Sequence, residues 1–117
     1  MRTLVTAALI ATASILPAYA ETFDDTERFL TWYGNGQDVA PRLFIRGVGE
    51  GISIYNTLQE TRNGDPFFCP PNNLGIVDAQ YVAIIKGFLA KYPKTKTQPV
   101  GAVLLYALQD AFPCKRQ

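Results

Sequence analysis

The 117-residue sequence contains no histidine. Histidine is the commonest general base, the usual partner of a Ser or Cys nucleophile and a frequent zinc ligand. The carboxylates are scattered, and no two acids share an apolar setting of the kind that a glycosidase-like hydrolase uses. P-loop, EF-hand and dinucleotide-binding motifs are also missing. We therefore expect a protein that is not an enzyme and that uses neither a metal nor a cofactor; a carboxylate-based enzyme is the remaining catalytic alternative.

No stretch after residue 20 is both long and apolar enough to cross a membrane. A short positive start precedes an apolar run from Leu4 to Leu16, and Ala18-Tyr19-Ala20 is a small-x-small cleavage signal. This pattern predicts a secretory signal peptide over residues 1–20, cleaved after Ala20, and hence an exported, periplasmic protein. The alternative is a membrane anchor, for which the run is short. Residues 21–117 then form a single small domain.

Cysteine is scarce, with only Cys69 and Cys114 present. In an exported protein two cysteines are expected to form a disulfide, which leaves no thiolate cluster for a metal. The bridge would close a loop of about 45 residues, for which chain entropy predicts about 4 kcal/mol of stabilisation. A bridge between subunits and free thiols are the alternatives.

Neither sign of charge dominates the sequence. Arg2 belongs to the expected signal peptide, and its removal leaves ten basic and ten acidic residues. This balance argues against nucleic acid as a partner. The acids concentrate between Glu21 and Asp65, whereas all five lysines follow Tyr81. This uneven distribution of charge suits electrostatic matching to another protein or between subunits. The alternative is that the two charged regions are ordinary solvent-exposed faces.

Helical periodicity is the main positive signal. Between Pro99 and Cys114, apolar residues recur at three- and four-residue steps and cover more than half of the circumference. Such a helix lies at the centre of a bundle or is shared with a second subunit, and Leu105 and Tyr106 are the candidate dimer residues. The same spacing predicts helices over about 22–33, 38–61 and 77–92. No stretch alternates as a strand does, so we expect an all-α fold, a small bundle of about four helices with one disulfide.

Three glycines, Gly47, Gly49 and Gly51, interrupt the second predicted helix, and each costs about 1 kcal/mol relative to alanine. Gly47 and Gly51 lie four residues apart on one face, where missing side chains would let another helix come close. A phosphate-binding loop is the alternative interpretation. It is disfavoured because the fingerprint's third glycine and a preceding strand are both missing.

Several short motifs occur together in one order. They are Phe44 to Gly51, Phe68-Cys69-Pro70, Gln80, Leu89, Pro93, Ala107-Leu108 and Ala111-Phe112-Pro113-Cys114. This ordered set resembles the Rap/Tai family of small exported immunity proteins linked to type VI secretion. The resemblance implies a compact helical fold, related in shape to periplasmic acid-stress chaperones and often dimeric. It also implies that the protein binds and blocks a peptidoglycan-cutting amidase delivered by a rival cell.

A blocking protein needs a rigid scaffold and a projecting loop, because a few anchors carry most of the energy of an interface. Two polar loops are candidates for contact with such an effector; the residues we single out are Arg62, Asn63, Asp65, Lys94 and Lys96. The first loop is the better braced because Cys69 follows it. Both loops can also be plain connectors. The alternative function is a small periplasmic chaperone, or a ligand-binding helical protein, without an effector.

Overall fold

The computed structural model describes residues 25–36, 38–72 and 74–115. Within these ranges the chain forms helices α1 (Thr26–Gly34), α2 (Ala40–Asn63), α3 (Asp78–Lys91) and α4 (Val100–Ala111), and a 3-10 helix (Pro93–Thr97) precedes α4. No strand occurs among the described residues, so the predicted all-α class and the four helices are confirmed. The expected signal peptide, residues 1–20, lies outside the described part of the chain.

Helix α1 begins at Thr26, and Asp25 caps it. The Asp25 Oδ1 atom accepts hydrogen bonds from the backbone N–H groups of Glu27 (2.8 Å) and Arg28 (3.2 Å). A carboxylate is well suited to this position, because it satisfies free donors at the positive end of the helix dipole. The first residues of the helix predicted over about 22–33 lie outside the described part of the chain.

Helix α2 is the longest element, and polar side chains and a glycine mark its ends. Asp38 Oδ1 accepts a hydrogen bond from the N–H of Ala40 (2.9 Å), although the N-cap residue is Val39, whose side chain makes no capping hydrogen bond. At the other end Gly64 adopts a left-handed conformation with φ 74°. This conformation favours glycine, because a Cβ atom would strain it. The helix therefore ends at Asn63, two residues later than predicted.

Helix α4 lies at the centre of the bundle and contacts each of the other three helices. Its buried residues recur at three- and four-residue steps; they are Val100, Val103, Leu104, Ala107 and Leu108. The other elements contribute Phe29, Ile45, Phe68, Tyr81, Val82, Ile85 and Phe88 to the same core. Full burial of each large apolar side chain stabilises the fold by about 1.5–3 kcal/mol. The central position predicted for this helix is confirmed.

The predicted disulfide is present between Cys69 and Cys114, with an S–S distance of 2.06 Å. It joins the segment that follows α2 to the end of α4. Beside it the Cys69 N–H donates a hydrogen bond of 2.8 Å to the carbonyl oxygen of Phe112. No helix among the described residues has both the length and the apolar character needed to cross a membrane.

The close helix approach occurs at Gly49 and not at the two glycines predicted. A Cβ atom added at Gly49 would overlap the ring of Tyr81, whereas one added at Gly47 or Gly51 would meet no atom within 4 Å. Two residues correspond to about 200° around an α-helix, so these two glycines lie on the side away from Gly49. The prediction that another helix comes close at Gly47 and Gly51 is therefore wrong for the helices of the described chain.

Candidate partner-binding surface

The segment between α2 and α3, residues 64–77, is held in place by the buried side chain of Asn56, which is 6% exposed. Its Oδ1 atom accepts from the N–H groups of Phe67 (2.6 Å) and Phe68 (3.2 Å), and its Nδ2 atom donates to the Phe68 carbonyl (2.9 Å). One side chain thus satisfies three backbone groups of a segment that lacks regular structure. The path of the segment is therefore set by α2.

Sequence reasoning missed Asn56, although a signal was available. Ile45, Gly49 and Ile52 precede it at steps of four, three and four residues, which is the spacing of the buried face of α2. A polar residue that continues an apolar stripe must find hydrogen-bond partners inside the protein. The spacing indicates burial, but the identity of the partners depends on the tertiary structure.

Two aromatic side chains anchor this segment on opposite sides of its backbone attachment. Phe68 is 1% exposed and belongs to the core. Phe67 remains partly exposed and stacks on Tyr55 of α2, with ring centroids 5.6 Å apart. The disulfide at Cys69 follows immediately. The segment is therefore fixed at three consecutive residues.

A groove of about 530 Å³ opens between α2 and the segment 74–78. The α2 wall presents Ile54 and an ion pair between Arg46 Nε and Glu50 Oε1 at 3.1 Å. The buried residues that line the groove are Asn56, Phe68 and Tyr81. The groove therefore combines aliphatic walls with polar groups that are rigidly held.

Tyr81 lines this groove, and its hydroxyl is the polar group of that side chain. The residue is only 3% exposed, and its hydroxyl makes no hydrogen bond to any described residue. Every fully enclosed polar side-chain atom in the described part of the chain has a partner. The Tyr81 hydroxyl is consequently the part of this side chain that solvent, or a ligand in the groove, can reach.

At one end of the groove, Asp78 joins three helices. Its Oδ2 atom accepts a hydrogen bond from the Tyr33 hydroxyl (2.9 Å) and contacts the Arg42 guanidinium (3.3 Å). The same guanidinium lies 5.5 Å from the centroid of the Tyr33 ring. Burial, followed by the hydrogen bond to Asp78 and the charge of Asp78, raises the pKa of Tyr33 above its usual value. The charge of Asp78 is therefore already compensated within the fold.

The five residues predicted to contact a partner lie in two separate places. Arg62 and Asn63 occupy the last turn of α2, and Asp65 follows the exposed Gly64. Lys94 and Lys96 lie in the 3-10 helix, where a plain loop was predicted. That 3-10 helix leads into the beginning of α4.

The two places are at opposite ends of α4. Pro66, next to Asp65, has its carbonyl 3.7 Å from the Cys114 Sγ atom beyond the end of α4. Twelve residues of α-helix are about 18 Å long, so the two groups do not form one site. In addition, Lys96 pairs with Glu27 of α1 at 3.0 Å.

Of the two residues predicted at a dimer contact, Leu105 is partly buried against the core and Tyr106 is 56% exposed. Most of the remaining apolar surface of α4 is used inside the bundle. Sequence reasoning missed a second outward apolar surface on α2, where Leu43, Ile54 and Leu58 are each more than 40% exposed.

Comparison with protein families matches residues 17–114 to the Rap1a immunity proteins. The matched region contains all four helices, both cysteines and the groove. Comparisons with curated proteins and with solved structures give no significant match. The resemblance to Rap/Tai immunity proteins is thus confirmed over more than four fifths of the sequence. We conclude that the chain belongs to the Rap1a immunity protein family.

Proposed function

We propose that this protein is a periplasmic immunity protein of type VI secretion that binds a peptidoglycan-cutting amidase and blocks it. Membership of the Rap1a immunity family is the observation that carries the proposal. An immunity protein acts by occupying its target, so we propose that no catalytic step and no cofactor is involved.

Rigidity of the surface next to the groove supports a blocking role. Residues 64–77 are tied to α2 by Asn56 and to the end of α4 by the disulfide. A surface that is already ordered loses little conformational entropy on binding, and its affinity rises accordingly. Arg62, Asn63 and Asp65 stand exposed beside this braced segment, so we place the first contacts with the enzyme there.

Lys94 and Lys96 are the second proposed contact, at the other end of α4. Their charge would steer an acidic patch of the enzyme and would mainly accelerate association. The Lys96–Glu27 ion pair is exposed on both sides, so it contributes little to stability and can exchange partners.

Export is part of the same proposal. We expect residues 1–20 to be removed after Ala20 and residues 21–117 to act as one domain in the periplasm. A disulfide persists in that oxidising compartment, and the structure contains one. We also propose that two copies associate through the outward side of α4, at Leu105 and Tyr106.

The experiment is a protection assay. The amidase encoded nearest to this gene is directed to the periplasm of a test strain, with and without this protein. We expect lysis without the protein and normal growth with it, together with a complex of the two purified proteins. Lysis in both strains and failure of the purified proteins to associate would contradict the proposal.

A small periplasmic chaperone is the second candidate, favoured by the exposed Leu43, Ile54 and Leu58 of α2. An aliphatic surface of this kind could hold unfolded chains. The two functions differ in one measurement. A chaperone would suppress aggregation of unrelated unfolded proteins, whereas an immunity protein would act only on its own amidase.

A further inference from the structure

The backbone beside the groove carries two hydrogen-bond donors that have no acceptor among the described residues. The N–H of Leu74 donates to the carbonyl of Pro71 (3.2 Å), and the N–H of Val77 donates to the Gln80 Oε1 atom (2.9 Å). Between them, the N–H groups of Gly75 and Ile76 make no hydrogen bond to any described residue. Both residues line the groove. Unpaired backbone donors are groups with which another extended chain can form main-chain hydrogen bonds.

The Tyr81 hydroxyl adds a third donor from the opposite, inner side. Its ring is held against Gly49, where no Cβ atom would fit, and only 3% of the residue is exposed. The hydroxyl is therefore fixed in position and has no partner among the described residues. Solvent reaches this hydroxyl in the free protein, and an acceptor carried by a ligand in the groove can take the place of that water.

The charged side chains that line the groove are paired within the protein, and this favours an uncharged ligand over a charged one. Arg46 and Glu50 pair with each other, and Asp78 is held by Tyr33 and Arg42. The lining residues thus leave no charge uncompensated. A strongly charged ligand would have to displace one of these ion pairs, whereas the backbone of an uncharged peptide segment would leave them intact.

The walls are suited to one large apolar side chain. Ile54 on α2 is 63% exposed, and Leu74 and Val77 on the facing segment are 42% and 55% exposed. Burial of this aliphatic surface would drive association, while the three donors would fix the direction of the bound chain.

We infer that the groove binds an extended, uncharged segment of the partner enzyme. Its carbonyl oxygens accept hydrogen bonds from the Tyr81 hydroxyl and from the N–H groups of Gly75 and Ile76. One aliphatic or aromatic side chain of the segment packs against Ile54, Leu74 and Val77. This inference rests on the proposed function, because the occupant belongs to the amidase that the protein would block.

The test measures the dissociation constant of the complex with the amidase for three variants. Tyr81→Phe keeps the ring against Gly49 and removes only the hydroxyl, so we expect about 5- to 10-fold weaker binding, as for the loss of one hydrogen bond. Ile54→Asp places a charge on the apolar wall and should weaken binding at least about 30-fold. Leu43→Asp is the matched control, because Leu43 is as exposed as Ile54 but lies outside the groove. It should bind as the unmodified protein does.

Hydrogen exchange of the unmodified protein is a second test. If the groove only stabilised the fold, binding of the amidase would not change the exchange rates of its amide protons. In the complex, the amide protons of Gly75 and Ile76 should exchange at least about 10-fold more slowly than in the free protein. If the unmodified protein binds but Tyr81→Phe and Ile54→Asp bind equally well, the groove inference is wrong and the proposed function stands. If the unmodified protein does not bind the amidase, both fail.

Discussion

Residues on opposite sides of α2 have opposite roles. Gly49 and Asn56 face the bundle, where one admits the ring of Tyr81 and the other holds the backbone of residues 67 and 68. Gly47 and Gly51 face outward and meet no atom within 4 Å of an added Cβ. Glycine therefore allows a close contact inside the bundle at position 49 but not at positions 47 and 51.

Alanine substitutions of the glycines test this difference. Gly49→Ala forces a methyl group into the Tyr81 ring and should lower the free energy of unfolding by about 1–3 kcal/mol. Gly51→Ala is the matched control: it adds helix propensity in open space and should raise that free energy by about 0.5–1 kcal/mol. Urea unfolding measures both values. Equal changes at the two positions would show that the Tyr81 contact is not close.

Asn56→Ala should be among the most destabilising single changes in α2. It leaves two backbone N–H groups and one carbonyl without their partner, at a cost of about 2–4 kcal/mol. Asn63→Ala is the control, because Asn63 is exposed and bonds only to the Gln59 side chain. It should change the unfolding free energy by less than about 0.5 kcal/mol. A comparable loss in both variants would contradict the anchoring role.

Tyr33→Phe tests the hydrogen bond to Asp78 through pH. The pKa of Tyr33 is raised in the folded protein, so the fold favours the protonated hydroxyl. This contribution is fully present below the unfolded pKa of about 10 and is lost as pH rises through the folded pKa. The stability difference between the unmodified protein and Tyr33→Phe should therefore be constant from pH 7 to about 9 and shrink above about 10. A difference that does not change with pH would contradict this assignment.

At the scale of elements, the segment after α2 depends on distant parts of the chain. Asn56 lies eleven and twelve residues before the groups it binds, and the disulfide spans 45 residues. Helices α1 and α3 hold each other through Tyr33 and Asp78. The irregular segment is thus ordered by side chains and a covalent bond, without a hydrogen-bond ladder of its own.

Cys114→Ser should lower the melting temperature under oxidising conditions by the equivalent of about 4 kcal/mol, because the unfolded chain regains the freedom of a loop of about 45 residues. A reductant should bring the unmodified protein to a similar value and leave the variant unchanged. Thermal unfolding followed by circular dichroism measures both effects. Equal melting temperatures for the oxidised protein and the variant would mean that the bridge does not stabilise the fold.

At the scale of the whole molecule, the apolar surface that remains outside the core determines association. Tyr106 on α4 and the aliphatic residues of α2 are both exposed, and they belong to different helices. We expect a dimer through α4, so Tyr106→Glu should give a monomer in analytical ultracentrifugation. Leu43→Asp should leave the dimer intact. A monomer from Leu43→Asp, with Tyr106→Glu still dimeric, would move the contact to α2.

The limits of prediction are visible in particular residues. The helical stripe of α4 follows from local spacing, and the pairing of the two cysteines follows from their small number. The sequence did not distinguish Gly49 from Gly47 and Gly51. The other helices cover α2 on one side only, and the apolar pattern around the glycines does not clearly mark that side. The groove was not predicted, since its walls come from two segments about twenty residues apart.

The sequence alone determined the all-α class, the order of the helices, the central place of α4, the disulfide and the immunity family. These properties depend on periodicity, on having only two cysteines and on short motifs that are read along the chain. The tertiary structure decided which glycine receives Tyr81, that Asn56 binds residues 67 and 68, and that the two predicted contact loops lie at opposite ends of α4. Each of these depends on distances between residues remote in the chain, which local spacing does not encode.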